Sequence, residues 1–337
     1  RDRGGDWSSD VCSSDLKLSN ILECDDKNKK NLIMNVSKLK GSLIFKTIID
    51  RYVKYLENSD CFIDDLKVRD YVVFKKTFIR KLYLKDLKHL SLNKRKEEIK
   101  RYFNGKITEK TKAIQEYIDE DYKDKINNIK KEELSEKDKR SKIIELYDIR
   151  DKEKETVREE IKTSIKNFFK KWEKQDLLQD YYNFIEDENL FNLITSNKIP
   201  KVLHDHMIKE IHENKKNGVI DSDDLAAIMY LKVKLYGINK KFKHIVIDEA
   251  QDYSLLQMEV IREFTVNNSM TIVGDVGQGI YYYKGIEDWQ KVIEDIFKNE
   301  VSYVPLTQSY RSTIEIIEIA NKVLEKQNNA LKSAMPV

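Results

Sequence analysis

The sequence lacks long apolar runs, paired cysteines and a strong excess of one charge, and each absence narrows what the chain can be. No run of about 18 uncharged apolar residues occurs, which excludes a membrane-spanning helix. The cysteines, Cys12, Cys24 and Cys61, have no C-x-x-C spacing, so we expect reduced thiols in a cytoplasmic protein without a zinc site. Lys and Arg total 62 against 59 Asp and Glu, a balance that does not argue for nucleic acid by itself.

The two ends of the chain carry little structural information. There is no initiator Met, and the segment from Arg1 to Leu16 contains no Lys or Ile, although both residues are frequent in the rest of the chain. This segment resembles translated sequencing-adapter sequence, so we exclude it from the fold. We expect the chain to be an internal fragment. Its 337 residues favour two domains, or one domain with a large insertion.

The stretch from about Asn93 to Asp180 is dominated by charge. It has no Pro and a single Gly, Gly105, and its apolar residues fall at three- and four-residue steps. This spacing predicts long helices with solvated faces. Because charges of both signs are interleaved, the pattern favours a helical insertion or coiled-coil arm over the alternative, a dedicated nucleic-acid surface.

After Pro200 the pattern changes to short apolar runs that alternate with helices. One helix is expected to end at Gly237, and the runs after it are Ile245–Ile247, Met270–Val273 and a weaker one at 303–306. Such runs predict a parallel sheet with both faces covered, and ligands bind at the carboxyl ends of its strands. An acidic residue follows each of the first two runs, Asp248 directly and Asp275 after Gly274. These carboxylates are therefore expected where a nucleotide would bind.

The segment from His244 to Asp252 reads H-I-V-I-D-E-A-Q-D and brings Asp248 and Glu249 to the end of a buried strand. A site that hydrolyses phosphate esters needs such a pair. One carboxylate holds Mg²⁺ through its water shell, and its neighbour orients and deprotonates the attacking water. The alternative is structural, an Asp-Glu pair that caps the next helix.

Two later segments add polar groups to the same region. The first, from Thr271 to Gly285, carries glycines around Gln278, so that the backbone can approach a ligand while an amide reaches into the site. The second places Arg311 just before a helix, with Ser312 or Thr313 as the expected N-cap. A permanently charged guanidinium suits a γ-phosphate. Taken singly, the glutamine could be a loop amide and the arginine a surface charge.

These segments resemble a known family. D-E-A-Q-D, G-D-x-x-Q-x-I-Y-x-x-K-G and S-Y-R-S-T-x-E-I are similar to motifs II, III and IV of UvrD/Rep-like superfamily 1 helicases, and the resemblance runs from about Asp221 to Leu324. The stretches Tyr283–Trp289 and Lys38–Lys46 look most like the HelD-type branch, whose members are ATP-driven motors that act on bacterial RNA polymerase. The resemblance implies ATP and Mg²⁺ as cofactors, and DNA, RNA polymerase or both as partners.

Roles are carried over by position. The resemblance implies that Asp248 binds Mg²⁺, Glu249 is the catalytic base, Gln278 senses the γ-phosphate and Arg311 is an arginine finger. Tyr283 occupies the position where relatives place an aromatic ring that stacks on a single-stranded base. The alternative for this ring is packing in the core.

The sequence also departs from the family pattern. Lys284 stands where an Arg is common, so it keeps the charge for a nucleotide contact but loses the bidentate geometry. The chain has no G-x4-G-K-S/T loop, since Gly105-Lys106 is followed by Ile107. We expect the Walker A segment upstream and motifs V and VI downstream, so that this fragment alone does not hydrolyse ATP although the full protein does.

The fold expected from this resemblance is α/β, a partial RecA-like P-loop NTPase domain in which a parallel sheet with flanking helices carries a large, mostly α-helical insertion. The expected domains are the artefact (1–16), part of RecA-like domain 1A (17–60), a 1B-like insertion (61–215), the rest of domain 1A (216–311) and a junction helix toward domain 2A (312–337). The leading function is a HelD-like motor acting on RNA polymerase. The alternatives are a UvrD-type DNA-unwinding helicase and a non-catalytic interaction module.

Overall fold

The computed structural model describes residues 16–17, 25–60, 63–133, 135–172, 174, 176–279, 283–326 and 334–336. Nearly all of the presumed adapter segment and the three cysteines lie outside these residues. No helix in the described ranges is both long and apolar enough to cross a lipid bilayer.

The described part of the chain is mostly helical. Its helices are α1 Lys27–Lys40, α2 Leu43–Ser59, α3 Lys76–Lys81, α4 Leu92–Gly105, α5 Ile107–Lys131, α6 Glu136–Lys171, α7 Leu177–Glu186, α8 Glu188–Thr195, α9 Lys201–Asn217, α10 Leu225–Tyr236, α11 Leu255–Glu263, α12 Trp289–Lys291 and α13 Ile314–Leu324. Its strands are β1 Leu16–Lys17, β2 Leu66–Val68, β3 Tyr71–Phe74, β4 Ile220–Asp221, β5 Ile245–Ile247, β6 Met270–Ile272, β7 Gln308–Ser309 and β8 Met335–Pro336.

The chain divides into two compact units. The first comprises Arg1–Asp50, Tyr181–Tyr230 and Ile238–Val337, and the second comprises Arg51–Asp180 and Leu231–Gly237. Residues 181–215, the last part of the insertion expected over 61–215, belong to the first unit. The five-part domain scheme stays a prediction.

The second unit is built around long helices. Apolar side chains of α5 recur every three or four residues and are buried, as are Val157, Ile161 and Ile165 of α6. The solvated face of α5 carries exposed ion pairs such as Lys112–Glu116, and Lys154 of α6 pairs with Asp119 of α5 at 2.6 Å between Nζ and Oδ2. The prediction of long helices with solvated faces is confirmed here.

The strands of the first unit form short pairs. β5 and β6 are parallel, with Ile245 opposite Met270 and Ile247 opposite Ile272, as the two apolar runs predicted. β1 with β4 and β7 with β8 are also parallel, whereas β2 and β3, in the second unit, are antiparallel. Val246 is 67% exposed, so the expectation that both sheet faces are covered is wrong for β5 within the described residues.

The third predicted run, 303–306, is not a strand. Residues 302–307 have no regular structure, and β7 begins only at Gln308. Pro305 lacks the N–H group that a strand ladder needs, and Val304 and Leu306 are both exposed. Apolar composition alone is therefore not sufficient to make this run a strand.

One core fixes the position of β5 and the segment after it. Ile247 and Ala250 pack with Met258 of α11 in a cluster of buried side chains. The remaining members come from the segment after β6 and are Ile286, Val292, Ile296 and Phe297. Because this core lies under the carboxyl end of β5, the polar residues at that end are held from below by apolar packing.

Candidate active site

The carboxyl ends of β5 and β6 meet at one edge of the first unit. The backbone N–H of Val273 donates to the carbonyl of Ile247 at 2.9 Å, and that of Ala250 donates to the carbonyl of Val273 at 3.0 Å. The ladder therefore continues past the strands, to the points where their acidic residues stand. We call Asp248, Glu249 and Asp275 the carboxylate edge.

Asp248 and Glu249 are both exposed at this edge. An Asp248 Oδ1 atom accepts a hydrogen bond from the Glu249 backbone N–H at 2.9 Å. The Glu249 backbone has φ 48°, in the left-handed region that a residue with a side chain occupies at a cost of about 1–2 kcal/mol. This strained turn directs two adjacent carboxylates toward solvent instead of continuing the strand.

The alternative role for this pair, capping the next helix, is not what the structure shows. Helix α11 begins at Leu255, and its N-cap is Ser254, whose Oγ accepts from the Gln257 backbone N–H at 3.2 Å. The Gln257 side chain in turn accepts from the Ser254 backbone N–H at 2.7 Å, which completes a capping box. The helix end is therefore satisfied without Asp248 or Glu249.

Gln251 is a member of this site that sequence reasoning passed over. Its side chain is 3% exposed, and its Nε2 donates to Glu249 Oε2 at 2.7 Å. Its Oε1 accepts from the Asp275 backbone N–H at 3.0 Å. The signal for it in the sequence is its place within D-E-A-Q-D, the motif that also contains Asp248 and Glu249.

Gln278 lies on the 3₁₀ turn Val276–Gln278 and is exposed. Its Nε2 donates to Asp275 Oδ2 at 2.8 Å, and the other carboxylate oxygen of Asp275 accepts from the Gly277 backbone N–H at 2.9 Å. Asp275 thus orders the loop that carries Gln278, and the amide stands beside the carboxylate edge.

Arg311 lies between β7 and α13 and is exposed. Thr313 is the N-cap of α13, one of the two residues predicted for that position. Among the described residues, no hydrogen bond or ion pair joins Arg311 to Asp248, Glu249 or Gln278. Its guanidinium is exposed, and its role as an arginine finger stays a prediction.

Lys284 and Tyr283 are placed differently from their expected roles. Lys284 Nζ lies 2.7 Å from Asp223 Oδ1, and Asp223 also accepts from the Ser37 hydroxyl. Burial lowers the pKa of Lys284, but the neighbouring Asp223 carboxylate outweighs it and the net pKa is raised. Tyr283 is 9% exposed. In this arrangement the ammonium is bound to a carboxylate, and the ring lies in the core.

A second group of charges, which we call the lysine cluster, was not predicted. Lys40 is fully buried and its Nζ lies 2.9 Å from Asp224 Oδ1 and 3.3 Å from Glu210 Oε2. The Tyr181 hydroxyl donates to Asp224 at 2.6 Å, and Asp221 is buried beside them. Burial disfavours the charge on Lys40, yet the three carboxylates outweigh burial and raise its pKa.

Exposed acidic residues at the carboxyl end of a parallel strand pair are typical of proteins that bind and hydrolyse nucleotides. The chain matches the family described as UvrD/REP helicase N-terminal domain over residues 44–288, and it belongs to that family. Membership implies a RecA-like fold for the α/β part of the chain.

Several helicases are similar to parts of the chain. A probable DNA helicase II homolog of Mycoplasma capricolum is 34% identical over 128 residues, which cover 35% of this chain and 18% of that protein. The ATP-dependent DNA helicase Rep of Buchnera aphidicola is 31% identical over 128 residues, covering 36% and 19%. DNA helicase II of Haemophilus influenzae is 37% identical over 122 residues, covering 34% and 16%. The chain thus matches less than a fifth of each relative's length.

These relatives bear on the branch of the family. Their names describe DNA helicases, and none of the three names RNA polymerase. They favour the UvrD-type alternative over the HelD-type interpretation that the sequence put first. The Lys38–Lys46 segment that suggested HelD also has a structural explanation, because it contains Lys40 and the turn at Gly41, whose carbonyl accepts from the Leu256 backbone N–H at 2.9 Å.

Proposed function

We propose that the full-length protein is an ATP-driven DNA helicase of the UvrD type. The observation that carries this proposal is the exposed Asp248–Glu249 pair at the end of β5, within a chain of the UvrD/REP family. The three relatives described above are named as DNA helicases, two of them as DNA helicase II or its homolog and one as ATP-dependent.

The carboxylate edge fits a magnesium nucleotide by its chemistry. Asp248 offers hard oxygen ligands to solvent, of which the Oδ1 atom also accepts one backbone N–H. Mg²⁺ prefers such carboxylates and keeps several of its own waters. In our proposal Asp248 holds the ion through those waters, and the ion neutralises phosphate charge when it is bound.

Glu249 is then the catalytic base. It follows Asp248 directly at the exposed turn after β5, and Gln251 donates a hydrogen bond to one of its carboxylate oxygens. A water aligned with the γ-phosphate loses its proton to this carboxylate as its oxygen attacks the γ-phosphorus, while the bond from that phosphorus to the bridging oxygen breaks and ADP leaves. A positioned base contributes about 10²–10⁴ in rate to such a step.

Gln278 and Arg311 are proposed to complete the site. Gln278 stands on the loop ordered by Asp275 and is exposed, as a sensor of the γ-phosphate must be. Arg311 has the permanently charged, planar group that suits a developing phosphate charge. Lys284 is a weaker candidate for a nucleotide contact, because its ammonium must leave Asp223 to make one.

Tyr283 stays the proposed contact for single-stranded DNA. A base can stack on this ring only if the ring becomes accessible, since it is 9% exposed in the structure. Such a stack contributes about 1–3 kcal/mol per base where it forms. The 1B-like insertion, the junction helix over 312–337 and the missing Walker A segment belong to the same proposal.

The experiment uses the full-length protein, recovered by extending the reading frame. ATP hydrolysis is measured alone, with single-stranded DNA and with RNA polymerase, and unwinding of a tailed DNA duplex is measured in parallel. Stimulation by DNA with unwinding supports the UvrD-type proposal. Stimulation by RNA polymerase without unwinding would favour the HelD-type alternative instead, and no hydrolysis under any condition would favour the non-catalytic module.

A further inference from the structure

Gln251 joins the two halves of the carboxylate edge through one buried side chain. Its amide nitrogen donates to Glu249 Oε2 at 2.7 Å, while its amide oxygen accepts from the Asp275 backbone N–H at 3.0 Å. Its own backbone carbonyl accepts from the Ile286 N–H at 2.9 Å. Gln251 thus contacts the segment after β5, the segment after β6 and Ile286, a member of the buried core described above.

The two partners fix which way the amide points. An ionised carboxylate only accepts hydrogen bonds, and a backbone N–H only donates them. The nitrogen of Gln251 must therefore face Glu249, and its oxygen must face Asp275. An amide satisfies both partners at once, which neither a carboxylate nor an apolar side chain of the same length can do.

Gly274 shows how tightly the amide is held. A Cβ atom at this position would lie 2.6 Å from Gln251 Oε1 and 2.9 Å from the Ala250 backbone nitrogen. Both distances are shorter than side-chain carbons normally tolerate, so the loop after β6 can come this close only with glycine there. The loop and the amide are packed against each other as one unit.

We propose that Gln251 is a positioning residue for ATP hydrolysis. It holds the Glu249 carboxylate at a set distance from the loop that carries Asp275 and Gln278. Because the side chain is 3% exposed and its amide is satisfied on both sides by protein groups, it acts through these residues and not on the nucleotide. This inference rests on the proposed function, in which Glu249 is the base.

Two substitutions in the full-length protein separate this role from simple packing. Gln251→Met keeps the length of the side chain and loses both hydrogen bonds. Gln251→Glu keeps an acceptor for the Asp275 N–H but replaces the donor to Glu249 by a second negative charge. The matched control is Gln290→Glu, the same chemical change at an exposed position where the side-chain amide donates to Glu294.

The measurements are kcat and KM for ATP in the presence of single-stranded DNA, with binding of a fluorescent ATP analogue as a check of folding. We expect both Gln251 variants to lose about 10–100-fold in kcat, the range typical of lost supporting hydrogen bonds, with KM nearly unchanged. Gln251→Glu is expected to lose at least as much as Gln251→Met, and Gln290→Glu to match wild type.

Three results would overturn the inference. The first is wild-type kcat in both Gln251 variants. The second is near-normal kcat in Gln251→Glu with a loss only in Gln251→Met, which would make the amide a tether for the loop alone. The third is a rise in KM at constant kcat. If either variant fails to bind the ATP analogue, Gln251→Asn takes its place, with the same expected result of a lower kcat at a nearly unchanged KM. An inactive wild-type protein would instead count against the proposed function.

Discussion

The carboxylate edge and the lysine cluster both belong to the first unit, and both contain several acidic side chains. They differ in whether these side chains are exposed to solvent or buried and paired. At the edge, Asp248 and Glu249 are exposed, and no described cation pairs with either of them. In the cluster, Asp224 is buried and paired with Lys40 and the Tyr181 hydroxyl.

The difference shows which acidic residues are available for chemistry. A buried charge is costly unless it is paired and hydrogen-bonded, so the partners of Asp224 are part of the folded structure. Exposed carboxylates gain little for the fold, and here they lie at a strained turn at Glu249. The family motif therefore contains the exposed acidic residues Asp248 and Glu249, whereas the folded structure depends on the buried and paired Asp224.

The largest effect is expected at the edge. Glu249→Gln keeps the size of the side chain and removes the proposed base, so ATP turnover of the full-length protein should fall by about 10²–10⁴-fold. Binding of ATP and the thermal unfolding midpoint should stay near wild type, because the side chain is exposed. Turnover within a few fold of wild type would remove Glu249 from the mechanism.

The next effect is expected in the lysine cluster. Lys40→Met leaves the buried carboxylate of Asp224 without its cation, and Glu210, which is partly exposed, loses the same partner. Breaking a buried ion pair in this way typically costs about 3–5 kcal/mol. Denaturant unfolding should show this loss of stability in every preparation, with or without ATP. Unchanged stability would mean that solvent reaches the cluster and that its charges are not held as the structure shows.

A pH-dependent effect is expected at Asp221. Burial, the largest cause, raises the pKa of this carboxyl to about 6, although the Lys40 charge works against it. Its contribution to folding is therefore present below about pH 4 and is lost as the pH rises through about 6. Asp221→Asn keeps an acceptor for the Asp223 N–H and removes that loss.

The Asp221→Asn variant should accordingly unfold at a higher temperature than wild type at pH 8, by an amount equivalent to at most about 3 kcal/mol. The two proteins should unfold alike near pH 4. A variant that is less stable than wild type at pH 8 would show that the attraction between Asp221 and Lys40 outweighs the cost of burial.

The smallest effect is expected at Lys38, which serves as the control for Lys40. It lies two residues earlier on α1 and pairs with Glu287 at 2.6 Å, but both side chains are largely exposed. Lys38→Met should cost less than about 1 kcal/mol in the same unfolding experiment. A cost similar to that of Lys40→Met would contradict the distinction between exposed and buried charges.

Part of this structure could be predicted from sequence because the signals are local. The apolar runs that become β5 and β6, the helices of the charged stretch and the end of α10 at Gly237, with φ 74°, are all set by residue order. The placement of Asp248 and Glu249 after a strand comes from the same pattern.

The remaining features depend on contacts between distant segments. The pairing of Lys40 with Asp224 and the contact of Gln251 with the Asp275 backbone join residues far apart in the sequence, so no local pattern reveals them. The burial of Tyr283 is likewise set by packing. The run at 303–306 fails as a strand because Pro305 interrupts it, a local signal that outweighed its apolar composition.

The most direct test compares Glu249→Gln and Lys40→Met in one experiment, with ATP turnover in the presence of single-stranded DNA and the thermal unfolding midpoint measured on the same full-length preparations. We predict that Glu249→Gln loses turnover and keeps its unfolding midpoint, and that Lys40→Met lowers the midpoint. If Glu249→Gln unfolds early like Lys40→Met, or turns over ATP like wild type, the edge is not the site of hydrolysis and the account is contradicted.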